Sequence, residues 1–230
     1  MILLGGRRVE VPGFPDAKNP LDHAGIPWAT DGAARPHVPL AVVLHTTKGR
    51  TGALVDTAAA PSERAERYAR YQAGTASDKS WDFTVDLDAT IVQSNDPTGA
   101  CGGRATPIYT WHCGAANVWT VGIEIVQAED RRLYARQLAA AVALATVLCD
   151  TYGITKRVPC DAQGAPWEGP INEVVSHKRG GRQGRLSGVF NHCNLTTPDS
   201  RGPGDAGPHV RAACLAGGFA PFDVTDLARR

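Results

Sequence analysis

The chain has 230 residues, 43% of them hydrophobic, and 24 basic against 23 acidic side chains leave a formal net charge of +1. That length buries a full core and fits one domain, while the near-zero charge excludes broad electrostatic capture of nucleic acid or an acidic membrane. No run approaches the roughly 20 apolar residues of a membrane span, and Met1 to Arg8 places its charges after a short apolar run, the reverse of a signal peptide.

Residues 1–38 are rich in proline and charge (Pro12, Pro15, Pro20, Pro27, Pro36) and read as an ordered arm packed on a domain that spans 39–230. Ala41 to Leu44 is an apolar run that ends in His45 and breaks into Thr46-Thr47-Lys48-Gly49, which predicts a buried strand delivering an imidazole to a cleft at its end. Pro61 to Tyr71 has a serine and an early glutamate that favour a helix start, with Tyr68 and Tyr71 three apart. Asp82 to Val92 alternates Phe83, Val85 and Leu87 against Thr84, Asp86 and Asp88, and its break at 87–90 before Ile91 predicts a hairpin.

Thr110-Trp111-His112-Cys113-Gly114 follows as a loop carrying an indole and an imidazole, suited either to holding substrate or to anchoring the loop by a packed tryptophan. Val121 to Val126 is a further strand. From Leu133 to Tyr152 runs the strongest helical pattern, with Leu138, Val142, Ala145 and Cys149 on one face and Gly153 ending it. After a long loop, whose Arg179, Arg182 and Arg185 read as a solvated basic cluster, Gly188 to His192 is a final apolar segment ending in histidine. The order predicts a single domain of the α/β (α+β) class, a central mixed sheet flanked by helices. None of the six cysteines forms a C-x-x-C pair; Cys101 and Cys113, flanking one loop, are the first expected disulfide, and Cys149 is expected as buried packing.

The chemistry gathers around the two strand-ending histidines. His45, His192 and Asp205, the last returned by a loop containing Pro198, Gly202, Pro203 and Gly204, would give zinc three protein ligands and leave a fourth position for water. An ordinary solvated loop is the competing reading of that segment; His177 is a rival for the second ligand and Asp199 the fallback for the third. Glu124 sits inside an apolar strand, with Ile123 and Ile125 directed to the opposite face. In a cleft its pKa would rise toward the range of a general base; on an edge strand it would face water.

In order along the chain, Leu44 to Gly49, Thr110 to Gly114, Val121 to Ile125 and the segment from His192 to Asp205 resemble the motifs of the zinc-dependent N-acetylmuramoyl-L-alanine amidases of the type 2 family, related to peptidoglycan recognition proteins and phage lysozyme-type amidases. The resemblance spans roughly residues 40–210. It implies Zn²⁺ on His45, His192 and Asp205, with Glu124 as the catalytic carboxylate. His112, Trp111 and Thr46 would contact substrate. The implied reaction is hydrolysis of the amide joining N-acetylmuramic acid to L-alanine in peptidoglycan or muropeptides, by an endolysin-like or wall-remodelling enzyme made in the cytoplasm and acting on cell wall or its recycled fragments.

Two positions depart from that pattern. Asp82-Phe83 stands where many relatives carry a histidine and a tyrosine, and Pro203 where they often carry a cation, which leaves Arg201 or Lys178 to stabilise the oxyanion. The alternatives are a non-catalytic muropeptide-binding module, and a Cys193 nucleophile disfavoured because neighbours on a strand point apart.

Overall fold

The computed structural model describes residues 1–30, 32–49, 52–74, 79–171, 186–195 and 206–224. The first half contains β1 (Ile2–Leu4), β2 (Arg7–Val9), β3 (Ala33–Ala34), β4 (Ala41–Thr46), β5 (Leu54–Val55), α1 (Arg64–Gly74), β6 (Phe83–Val85), β7 (Ile91–Gln93) and β8 (Ile108–Tyr109). A 3₁₀ turn at Gly114–Trp119 then leads into β9 (Thr120–Ile125), β10 (Leu133–Tyr134), α2 (Ala135–Tyr152) and β11 (Arg157–Cys160). After β12 (Gly188–Asn191) and a helical turn at His192–Leu195 come α3 (Gly207–Ala216) and β13 (Ala220–Asp223). No helix among the described residues is long and apolar enough to cross a membrane.

The central sheet has the order β12-β4-β9-β6-β7, parallel throughout except for the β6–β7 hairpin, whose register pairs Phe83 with Gln93 and Val85 with Ile91. Strands covered on both faces need apolar residues at successive positions, and Ala41-Val42-Val43-Leu44 supplies them. Val42 and Leu44 join the cluster that contains Leu138, Leu144 and Leu148 of α2, whereas Ala41 and Val43 join Cys113 and Phe190 on the other side. β9 divides in the same way: Val121, Ile123 and Ile125 face α2, and Thr120, Gly122 and Glu124 face the opposite side. The predicted mixed sheet flanked by helices is therefore present, with the larger core between the sheet and α2.

α2 is held at both ends. Gln137 donates to Val126 O (2.6 Å) and Val85 O (3.2 Å), tying its first turn to two sheet strands. Gly153, at φ +68°, closes the far end by donating its N–H to Cys149 O, a left-handed cap that glycine adopts without Cβ strain. From the N-terminal segment, Ile2, Leu4, Val11 and Ala17 enter the same core. Leu3 exchanges two 2.6 Å hydrogen bonds with the Gln93 side chain.

Several expectations are corrected. The first helix begins at Arg64, because its first turn is capped from a distance: Asp86 Oδ2 accepts the Ala65 N–H (2.8 Å). Leu133 and Tyr134 form a short strand parallel to β5 before the second helix starts. β11 and β13 pair in parallel, outside anything the hydrophobic pattern predicts. No disulfide joins Cys101 to Cys113: all six cysteines are thiols, Cys101 Sγ lying 3.3 Å from Asn95 Oδ1 while Cys113 packs with Val43 and Phe190.

Candidate active site

Parallel strands in register line up side chains at the same height. His45 of β4 is the register partner of Glu124 of β9, and Glu124 is in turn the partner of Thr84 of β6. On the outer side β12 pairs Asn191 with Leu44, so the next residue, His192, emerges beside His45, their ring centroids 5.1 Å apart. A row of Thr84, Glu124, His45 and His192 thus crosses the sheet toward the carboxyl ends of its parallel strands, where open α/β sheets place their ligands. His45, Glu124 and His192 face a cleft of about 330 Å³ that is also lined by Thr46, Thr47, Tyr68, Lys79, Trp81, Trp111 and His112. Glu124 is on the central strand and 2% exposed, so the reading of it as a water-facing edge residue is overturned.

Behind His45 the hydrogen bonds assign the tautomers. The Thr120 hydroxyl spends its proton on Ala116 O (2.8 Å), so toward His112 Nε2 (3.2 Å) it accepts. His112 then carries its proton on Nε2 and accepts at Nδ1 from His45 Nε2–H (3.1 Å). His45 is left with an unprotonated Nδ1, the form in which an imidazole binds a metal. Burial, helped by His192 and His112, holds the His45 pKa well below its ordinary value. Burial and then the Arg35 charge bring His112 down to about 3.

The fit of His112 depends on a missing side chain. A Cβ on Gly122 would lie 2.8 Å from His112 Cγ and 3.0 Å from Nδ1, so the glycine of Val121-Gly122-Ile123-Glu124 makes room for the ring. Asn117 Oδ1 accepts from the backbone N–H of both His112 (3.0 Å) and Cys113 (2.5 Å), which fixes the turn that presents the imidazole. Trp111 and Ser80 clamp each other, Trp111 N–H to Ser80 Oγ (2.9 Å) and Ser80 N–H to Trp111 O (3.0 Å).

Asp82 lies beneath this loop, fully buried. Its carboxylate accepts from Asn95 Nδ2 (2.6 Å), Gly122 N–H (2.8 Å) and Thr110 Oγ1 (3.1 Å), and the equally buried Arg35 guanidinium is 4.0 Å away, donating meanwhile to Thr120 O (3.0 Å). Asp82 therefore joins β6, β9 and the Thr110 loop into one unit. Phe83 packs into the α2-side core and could not have presented a phenol to the cleft. The phenol that does reach it is Tyr68, from α1.

Among the described residues no cation pairs with Glu124. Burial pushes its pKa well above the usual carboxylate range, opposed by a hydrogen bond from the Trp81 indole. Trp81 is held by its backbone N–H to Gln72 Oε1 of α1 (2.7 Å) and by an edge contact with Tyr68 (6.2 Å between centroids).

Of the predicted site residues, His45, His192, Glu124, His112, Trp111 and Thr46 share the cleft, although the Thr46 hydroxyl donates to Gly49 O (2.7 Å) inside its own turn. Asp205, Asp199, His177, Arg201 and Lys178 lie outside the described residues, as does the arginine cluster at 179–185. Among the described residues no three His, Cys, Asp or Glu side chains group as a metal cage. Cys193 belongs to a helical turn, not to a strand as expected; successive helical residues also diverge, by about 100°. Sequence reasoning missed Tyr68, Lys79 and Trp81. Trp81, an indole one residue before an alternating strand, was the available signal.

No curated protein matches the chain. Among solved structures it is similar to a selenomethionine derivative of AmpD (16% identity, 93% of this chain and 99% of that one, TM-score 0.49). It is also similar to the N-acetylmuramoyl-L-alanine amidase LysC from Clostridium intestinale (15%, 81% and 94%, 0.43) and to a mutant endolysin from Bacillus subtilis (23%, 61% and 80%, 0.42). The family model described as N-acetylmuramoyl-L-alanine amidase matches residues 35–192, from the buried Arg35 to His192 of the cleft. The chain belongs to that amidase family, the type 2 family whose motifs its sequence carries.

Proposed function

We propose that the protein is a zinc-dependent N-acetylmuramoyl-L-alanine amidase, cleaving the amide between the lactyl group of N-acetylmuramic acid and L-alanine in peptidoglycan or its fragments. The observation that carries this reading is the alignment of Glu124 and His45 on neighbouring strands with His192 directly after the next one, all three opening into one cleft.

The donor set suits a zinc ion. Burial keeps His45 neutral, its Nδ1 presents a lone pair, and the His192 ring is close enough to share one ion. His45 and His192 would hold the metal, with Asp205 as the third ligand; His112 sits behind His45 and orients its ring. The chemistry zinc supplies when bound is polarisation of the scissile carbonyl and acidification of a water. Glu124 takes the proton from the attacking water and delivers it to the departing alanine nitrogen. Its raised pKa suits both transfers, and the Trp81 indole holds the carboxylate in place. Lys79, the one cation among the described residues lining the cleft, brings positive charge toward the developing oxyanion.

Mass spectrometry of muropeptides digested with and without a chelator tests the reading. Free sugar-lactyl acid and an alanine-headed peptide, lost on chelation and restored by zinc, are expected. Binding to peptidoglycan without release of any alanine terminus would identify a recognition module instead.

A further inference from the structure

Next to the catalytic cleft is a second cavity, of about 410 Å³, lined by Lys48, Arg64, Arg67, Tyr68, Tyr71 and Glu129. Tyr68 is a wall of both, and Lys48 lies two residues beyond Thr46 of the cleft, so the two spaces adjoin along α1. Among the described residues three cations face one carboxylate here. That carboxylate, on Glu129, is 80% exposed and is shared between Lys48 and Arg64, the latter 3.3 Å away. Such exposed pairs are weak, screened by solvent, and exchange readily for another anion. Arg64 is held in position by a bond to Gln127 O (3.1 Å), while Arg67 has no ion-pair partner among the described residues.

An amidase substrate of this kind leaves the scissile amide in two directions. The sugar arm carries hydroxyls and an acetamido group and is neutral; the peptide arm carries free carboxylates. We infer that the α1 groove is the subsite for a carboxylate of the peptide arm, which makes the enzyme selective for acidic over amidated stem peptides and fixes the direction in which the substrate lies. The inference rests on the amidase reading for the identity of the ligand. Arg67 is the specificity-determining residue, with Lys48 and Arg64 contributing to the field.

The test uses two synthetic ligands, N-acetylmuramoyl-L-alanyl-D-glutamyl-L-lysine with the free glutamyl α-carboxylate and the same compound with that group amidated. The zinc-loaded protein is expected to show a KM about tenfold lower for the acid form, as one charge-assisted contact at a partly exposed site gives, with the advantage shrinking as salt rises. Arg67→Ser and Arg67→Glu, at an exposed helix position, should raise KM for the acid form alone and leave kcat unchanged. Equal KM values for the two ligands, or variants that affect both alike, would overturn the subsite while leaving the amidase standing. If neither ligand is cleaved, the amidase reading falls; calorimetric titration of both ligands into wild type and Arg67→Glu then decides the groove by itself, equal affinities overturning it.

Discussion

At the scale of single residues, the site depends on one carboxylate and on one glycine. Glu124→Gln keeps an oxygen to accept the Trp81 indole but can no longer take a proton. We expect kcat to fall by about 10²–10⁴, the usual range for loss of a general acid–base group, with zinc content by atomic absorption unchanged. Gly122→Ala acts on a neighbour instead. Its methyl would meet the His112 ring at 2.8 Å, and the ring cannot yield without losing its contact to His45. Weaker zinc retention on dialysis is expected, together with a changed His45 ring environment in the nitrogen NMR spectrum. Unchanged metal affinity and spectra would remove His112 from any role behind His45. His45, Glu124 and His192 were legible in the sequence because each polar residue interrupts or ends an apolar run. Tyr68, Lys79 and Trp81 were not, since their meeting depends on how α1 leans over the sheet.

At the scale of elements, periodicity served where burial is one-sided or continuous. α2 was readable because Leu138, Ala145 and Cys149 fall on one stripe and Gly153 must close it. The hairpin of β6 and β7 was readable from strict alternation. The start of α1 was not, because Asp86 on that hairpin caps it and no local signal announces so distant a partner. β11 and β13 escaped for a related reason: strands of four residues, one containing Pro159 and the other Pro221, carry little pattern of their own and pair residues 63 positions apart in the chain. Leu144, fully buried between α2 and the sheet, is the most direct probe of the main core. Leu144→Ala should cost about 2–5 kcal/mol, read as a lower urea midpoint with an unchanged slope.

At the scale of the whole molecule, the cysteines act as packing and not as cross-links. Burial pushes the thiols of Cys149 and Cys214 up to about 12 from an ordinary value of 9. A raised thiol pKa means that the unfolded chain ionises first, so the stability these groups contribute is complete below pH 9 and is lost as pH rises toward 12. Urea midpoints should therefore decline above pH 9, and less steeply in a Cys149→Ala/Cys214→Ala variant. In the native protein at pH 8, iodoacetamide should spare both residues and label them only after denaturation. The overall architecture was available from the order of elements; the absence of disulfides was not, since spacing alone cannot tell that Cys113 turns into an apolar cluster while Cys101 meets Asn95.

The single row formed by Thr84, Glu124, His45 and His192 has an evolutionary corollary. Because alternate positions on β4 and β9 serve either the cleft-facing chemistry or the oily interior, deleting one residue inside either strand would swap the two roles downstream, turning ionisable groups against α2 and aliphatic side chains toward substrate. Length variation compatible with survival is thus confined to the connections, and homologous chains are expected to differ in loop size while keeping these two strands free of gaps.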